Sequence, residues 1–292
     1  MAFSAYLVHL GILACMYIML IEGLNLTVGF GGMLNLGHVA FFGIGAYATA
    51  ILSTQPYNMP LWLTVFAAII LSAIGGVLLA LPTARLKGDY LALATLGFTF
   101  IMAAVARNWQ GLTRGALGIP GIPRLLTSPE LSSNEAYLFI ILLATVLVTW
   151  IVVKLTRSHF GRRLQAVRDD ETAAMVLGVN AFWHKVLAMA ISAALAGLAG
   201  FFYAHYITFI DPTIFSIDDL VLMFSMVIVG GLASTRGSVV GAVLLFLLPE
   251  PLRFVGFPSS IVGPMRAILY ALLLLIIIIY KPKGLFGKVD LT

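Results

Sequence analysis

The chain has 292 residues, of which 61% are hydrophobic and only 10% charged, and its mean hydropathy is +1.05. A soluble domain of this size needs far more charge to cover its surface, and apolar runs near the ~20 residues that cross a bilayer predict an all-α polytopic membrane protein of about 8–9 transmembrane helices. The formal net charge of +5 gathers at the ends of apolar runs and is no nucleic-acid footprint, and the single Cys15 lies inside such a run, so disulfides are excluded.

Ala5 to about Val28 reads as the first span. It lacks the basic flank of a signal peptide and its apolar stretch is too long for one, so it is read as a retained span. It carries Glu22 and Asn25, about one turn apart on one face. A charge at membrane depth costs roughly 2.5–3.5 kcal/mol on insertion scales, so such groups line a pathway, clamp helices, or sit near a span's end and reach water. Gly29 to Ser53, GFGGMLNLGHVAFFGIGAYATAILS, is dense in glycine. Its formal dinucleotide fingerprint at Gly43, Gly45 and Ala48 is rejected, because no strand precedes it. The glycines instead suit close helix packing or a broken, re-entrant segment beside a cavity. His38 reads as a hydrogen-bonded packing residue rather than a metal ligand, since no His, Cys or carboxylate stands at ligand spacing; no metal site is expected.

Pro60 to Leu81 is a plain span ending at Pro82, and Arg85 and Lys87 follow in a short loop before the next span, Gly88 to Ala106. Residues 107–134 are polar and rich in Gly and Pro and read as an external loop, after which Ala136 to Val153 spans again. The long polar interruption that follows, Arg157 to Lys185, organises the chain: six of the 17 Lys and Arg fall between Lys154 and Lys185. Phe160, Leu164 and Val167 form one helical stripe, with Arg162, Arg163 and Arg168 on the other faces, as in an interfacial helix whose cations stay wet. Asp169 or Asp170 can cap a second helix, and Glu171 in its first turn suits the positive end of the macrodipole. Ala173, Ala174, Val176 and Leu177 continue that helix, and Gly178 followed by Asn180 is a fitting stop. Two readings stand here: a docking helix projecting from the membrane, or a charged loop that only fixes topology.

Val186 to Tyr206 forms a span rich in small residues, suited to tight helix contact. A short acidic loop, Asp211 to Asp219, precedes Leu220 to Leu232, Val239 to Leu248 and Ile268 to Tyr280, and the tail KPKGLFGK carries three lysines. The positive-inside rule places Lys154–Lys185, the Arg85/Lys87 loop and the tail in the cytoplasm and residues 107–134 and 211–219 outside. The N-terminus then lies outside if Gly29–Ser53 crosses fully, and inside with eight spans if that segment is re-entrant. An internal echo between GFGGMLNLGHVAFFGIGA (29–46) and VGGLASTRGSVVGA (229–242) suggests a repeat of Gly-interrupted segments, a pointer to a transport pathway. No catalytic constellation and no G-x-x-x-x-G-K-[ST] loop is present, so the chain is not expected to be an enzyme or to bind ATP itself.

Six stretches carry a resemblance: LNLTVGFGGMLNLGHVAFFGIGAYA (24–48), GDYLALATLGF (88–98), LTRGALGIPGI (112–122), residues 161–200, MVIVGGLASTRGSVVGA (226–242) and KPKGLFG (281–287). Over nearly its whole length the chain resembles the inner-membrane permease subunit of branched-chain amino-acid type ABC importers. The resemblance implies one permease domain over 1–292, multi-pass in a bacterial plasma membrane, with the C-terminus cytoplasmic. It implies a coupling loop at about 155–185 that docks an ATPase through Gly161, Arg168, Asp169, Asp170, Glu171, Ala173, Ala174, Leu177 and Gly178. It also implies a second, related permease, two cytoplasmic ATPase subunits that use ATP and Mg, and a periplasmic or extracellular solute-binding protein. Glu22, Asn25, Gly37, His38, Phe41, Phe42 and Phe98 are pathway candidates, with ordinary packing as the competing role for each phenylalanine. Substrates other than branched-chain amino acids (urea, short amides, aromatic acids) stay open. So do an ion-coupled carrier with a relay through Glu22, Asp89 and His38, and a passive channel with a Gly-rich filter.

Overall fold

Serine, asparagine and aspartate set where six consecutive helices, from Asn134–Arg157 to Thr235–Leu247, begin, because their side-chain oxygens accept from the otherwise orphaned N–H groups of a first turn. The computed structural model describes residues 2–86, 88–125, 133–253, 259–281 and 283–287. Of the segments read above, Lys87, residues 126–132 of the external loop, Pro282 and Lys288 lie outside that set. The first helix, α1 (Ala2–Asn25), passes into a π-helical turn, Leu26–Phe30. There follow α2 (His38–Ser53), α3 (Leu61–Thr83), α4 (Asp89–Asn108) and the single turn α5 (Gln110–Thr113). After α6 (Asn134–Arg157), capped by Ser133, come α7 (His159–Asp169), capped by Ser158, and α8 (Glu171–Val176), capped by Asp170. Asn180 caps α9 (Ala181–Ile207), Ser216 caps α10 (Ile217–Gly230) and Ser234 caps α11 (Thr235–Leu247); α12 (Ser259–Tyr280) is the last. A two-residue antiparallel ribbon, β1 (Ile119–Pro120) on β2 (Phe209–Ile210), is the one sheet among the described residues.

Among the described residues, five helical stretches are long and apolar enough to cross a membrane: Ala5–Phe30, α3, α4, α6 and α9, of 20 to 27 residues. The centre belongs to α9, against which α1, α2 and α3 pack, while α6, α10 and α11 lie against α1. Small residues make this possible. A Cβ on Gly45 of α2 would lie 2.4 Å from the Gly197 Cα of α9, and one on Gly197 would lie 2.6 Å from the Ala68 carbonyl of α3. Three backbones therefore run in direct contact, which is how helices associate where lipid tails remove most of the hydrophobic driving force.

The structure revises several sequence boundaries. The first span does not stop at Val28 but runs through the π turn to Phe30. Gly29–Ser53 is two things: the end of that turn, then a non-helical return over residues 31–37 leading into α2. The return's backbone is held by α4, where Thr95 Oγ1 accepts from Leu36 N at 3.0 Å and Thr99 Oγ1 donates to Leu36 O at 3.0 Å. The acidic loop at 211–219 is largely ordered helix instead: Asp211 caps a 3₁₀ turn, and Asp218 and Asp219 sit in the first turn of α10. Helices α10 and α11 have only 14 and 13 residues and meet at a turn beside the end of α1. Gly29, in the π turn, lies against that turn, where a Cβ on it would come within 2.4 Å of Ala233 N.

Two ends of the molecule follow. Ser53–Asn58, Arg114 and Pro120 line one polar recess of about 770 Å³, which sets the α2–α3 turn beside the ribbon. At the other end, Lys185 Nζ at the start of α9 donates to the Ala84 carbonyl just after α3, at 3.4 Å. Segments α7 and α8 occupy that second end.

Candidate functional site

The 157–185 segment folds as its sequence suggests, into two capped helices. Leu164 and Val167 are buried, and Phe160 stacks on the His184 ring with 5.6 Å between centroids. Arg162 and Arg163 stay exposed. At α8, Asp170 Oδ1 accepts from Ala173 N at 2.9 Å. Gly178 closes the helix at φ +82°, with Gly178 N donating to Met175 O and Val179 N to Ala174 O, both at 3.0 Å. This is a complete Schellman stop. Ala174 turns inward against Val167 and Ala181, and Glu171 pairs with the nearly buried Lys185 at 2.8 Å. With both ends fixed and one face glued down, the opposite face presents Met175, Val176 and Leu177, the last two each 83% exposed.

Arg168 departs from its expected role. Its side chain is only 15% exposed, and the guanidinium turns inward: Nη1 donates to the Gly29 carbonyl at 2.9 Å, while Nε and Nη2 donate to Asp169 Oδ1 at 2.9 and 2.7 Å. It is not a wet interfacial cation. It ties α7 to the π turn that ends α1. Gly32 makes room for it, since a Cβ there would lie 2.6 Å from Arg168 Cγ. Of the predicted docking set, Leu177 faces out, Asp170 and Gly178 shape the helix, and Glu171, Ala174 and Arg168 hold it to the body. Gly161, Ala173 and Asp169 complete the same two helices, Gly161 packed so that a Cβ would meet Thr156 O at 2.3 Å.

One step inward lies a polar node. The Asn25 amide donates to Ser234 O at 3.0 Å and Ser238 Oγ at 2.7 Å, and its carbonyl accepts from Ala233 N at 3.0 Å. Gly29 must be glycine here, because a Cβ would fall 1.9 Å from Asn25 Oδ1 and 2.4 Å from Ala233 N. Hydrogen bonds thus run from α7 through Arg168 to Gly29, one helical turn beyond Asn25, and on to the α10–α11 turn. Sequence reading singled out Asn25 and Arg168 but missed Ser234 and Ser238; the polar run STRGS in an apolar stretch was the available signal.

The other pathway candidates lie in the core. His38 is fully buried, with Nε2 2.9 Å from Leu20 O and Nδ1 3.3 Å from Ser192 Oγ, which itself donates to Gly23 O. It cross-links α1, α2 and α9. Gly37 caps α2 from the tight space between Leu79 and Thr95. Phe41 is buried against the half-buried Phe98, and Phe42 packs edge-on to Tyr203. Glu22 is fully buried, and neither carboxyl oxygen has a hydrogen-bond partner among the described residues. No hydrogen bond among those residues joins Glu22 or His38 to Asp89, which is exposed at the start of α4. No group of three metal-ligating side chains occurs among the described residues.

The family described as branched-chain amino acid transport system / permease component matches residues 6–279. The high-affinity branched-chain amino acid transport system permease protein LivM of Salmonella typhimurium is 32% identical over a 303-residue alignment, which covers 95% of this chain and 69% of that protein. A probable branched-chain amino acid transport permease protein LivM of Methanocaldococcus jannaschii is 27% identical, over 90% of this chain and 82% of its own. The permease protein LivH of the Salmonella typhimurium high-affinity system is 24% identical, over 93% of this chain and 91% of its own.

Proposed function

Because the chain belongs to the branched-chain amino acid transport system permease family, we propose that it is a membrane-spanning subunit of an ABC importer whose α8 docks a cytoplasmic ATPase. The observation that carries this reading is the capped α8 with Val176 and Leu177 bare at its tip. A short helix fixed at both ends is what a groove on a moving partner can push without deforming.

The linkage behind it gives the motion somewhere to go. Displacement of α7 and α8 acts through Arg168 on the π turn, and through Asn25 on the α10–α11 turn. Transport then follows as a two-state, rigid-body change driven by ATPase closure. The ATP and Mg belong to the ATPase subunits. In this reading 1–292 is one permease domain, 155–185 faces the cytoplasm with the lysine-bearing tail, and 107–134 faces outward toward a solute-binding protein. Gly29–Ser53 crosses fully, since α2 ends beside the ribbon, and the N-terminus lies outside. A second, related permease completes the pathway, as LivM and LivH stand as two permease proteins of one named system. The substrates are branched-chain amino acids; urea, short amides and aromatic acids are the alternatives within the same machine.

The test is an affinity pull-down from the native membrane, comparing wild type with a Val176→Arg, Leu177→Arg double variant. Wild type is expected to bring down ATPases and a second permease, and the double variant only the permease. Equal ATPase recovery from both would overturn docking through α8.

A further inference from the structure

The last carbonyls of a helix have no partner within it, and those that are buried must be paired from elsewhere. At the end of α10 the partners come from the far end of the chain. Leu285 N donates to Val229 O at 2.9 Å and Phe286 N donates to Gly230 O at 3.0 Å. Val229 and Gly230 are both buried, so water does not take those places. The tail after α12 is thus the C-terminal cap of α10.

Two glycines let the backbones meet. A Cβ on Gly231, at φ +113°, would lie 2.1 Å from Gly287 N, and one on Gly284, at φ +74°, would lie 2.5 Å from Ile228 O. Leu285 adds an apolar anchor by packing against the main core. Terminal residues are ordinarily loose unless tied down; here two hydrogen bonds and a side chain tie them. What they hold is the turn to which Asn25 is bonded, through Ala233 N and Ser234 O. On the other side of that turn Gly230 packs on α11, where a Cβ would fall 2.1 Å from Gly237 O. The end of α10, the turn and the start of α11 are therefore fixed to one another and to the tail. The bonds that pass from Arg168 to Gly29, and from Asn25 to the turn, continue into the tail and, behind it, α12.

We propose that residues 284–287 are a positioning strap for transport: by capping α10 they hold the α10–α11 turn in register and make α12 move with it when α7 and α8 are displaced. The proposal rests on the transport reading above and adds to it a part of the transmission that lies outside the 157–185 segment.

Two variants of the complete importer in proteoliposomes carry the test: a chain ending at Lys283, and Gly284→Ala, whose added Cβ would meet Ile228 O. Neither touches α8, so both should bring down ATPases as wild type does. Leucine uptake per ATP hydrolysed should fall about fivefold or more, the range of a coupling free energy. Lys281→Gln, exposed at the end of α12, should leave that ratio unchanged. Equal ratios in wild type and both strap variants would overturn the proposal. So would loss of the ATPases together with uptake, which marks a tail needed only for assembly. Hydrogen exchange gives a check that needs no variant: in the wild-type importer the Leu285 and Phe286 amides should exchange more slowly than in a free peptide, and exchange at the free-peptide rate would overturn the strap. Absence of ATP-driven uptake by wild type would sink the transport reading itself; where that uptake is present and both variants keep the wild-type ratio, only the strap fails.

Discussion

Asn25 makes three hydrogen bonds in a place where water cannot replace them. Removing its amide leaves the Ala233 N–H unpaired, at about 1–3 kcal/mol, and takes a donor from Ser238, whose hydroxyl keeps its own bond to Ser234 O. Asn25→Ala is therefore expected to lower the thermal unfolding midpoint of the purified protein well beyond Ser238→Ala, which leaves Asn25 with two of its partners. Equal midpoints for the two variants would show that the node is not a joint. Glycines divide in the same way. At Gly178, φ is +82° and nothing lies within 4 Å of an added Cβ, so Gly178→Ala meets only backbone strain, about 1–2 kcal/mol. At Gly197 an added Cβ would lie 2.6 Å from a backbone carbonyl of α3, so Gly197→Ala must push two helices apart. Thermal unfolding should rank Gly197→Ala as clearly the worse, and the opposite order would contradict the packing described.

Among elements, α7 and α8 were the most legible in the sequence, because their signals are local. Asp170, Glu171 and Gly178 are read within one or two turns, and each takes the part that its chemistry dictates. Arg168 shows the limit. Position on a helical wheel put it among wet cations, but its partner, Gly29, lies 139 residues away, and no local pattern announces such a bond. The same holds for Asn25 and Ser238, 213 residues apart. The start of α10 was misjudged because acids read as loop serve as its first-turn residues, and that of α11 because the polar residues after the Ser234 cap are already helical. The element-scale consequence concerns coupling. Arg168→Gln keeps the exposed α8 tip, so ATPase recovery should match wild type, while transport per ATP hydrolysed falls about fivefold or more, the range of a coupling free energy. Arg163→Gln, at an exposed position on the same helix, should change neither. If both variants behave alike, the Arg168–Gly29 bond is not part of the transmission.

For the whole molecule, composition was enough to establish a helical membrane protein, since 61% hydrophobic content with 10% charge has no soluble solution at this length. The central place of α9 was only hinted at, through its small residues. Which helices would cross there depends on complementary glycines in α2 and α3, and a single sequence does not pair them. Orientation can be checked with cysteines, because the native Cys15 is buried and gives little background. Thr172→Cys at α8 should react with a membrane-impermeant maleimide only from the cytoplasmic side, and Leu117→Cys, at a site 84% exposed beside the ribbon, only from outside. Labelling of both from one side would break the proposed topology. The most direct measurement of the central claim is uptake of radiolabelled leucine into proteoliposomes, made with this chain alone or with its permease, ATPase and binding-protein partners. The account predicts no uptake by the chain alone and ATP-dependent uptake by the complete set; solute movement through the chain by itself, without ATP, would contradict it.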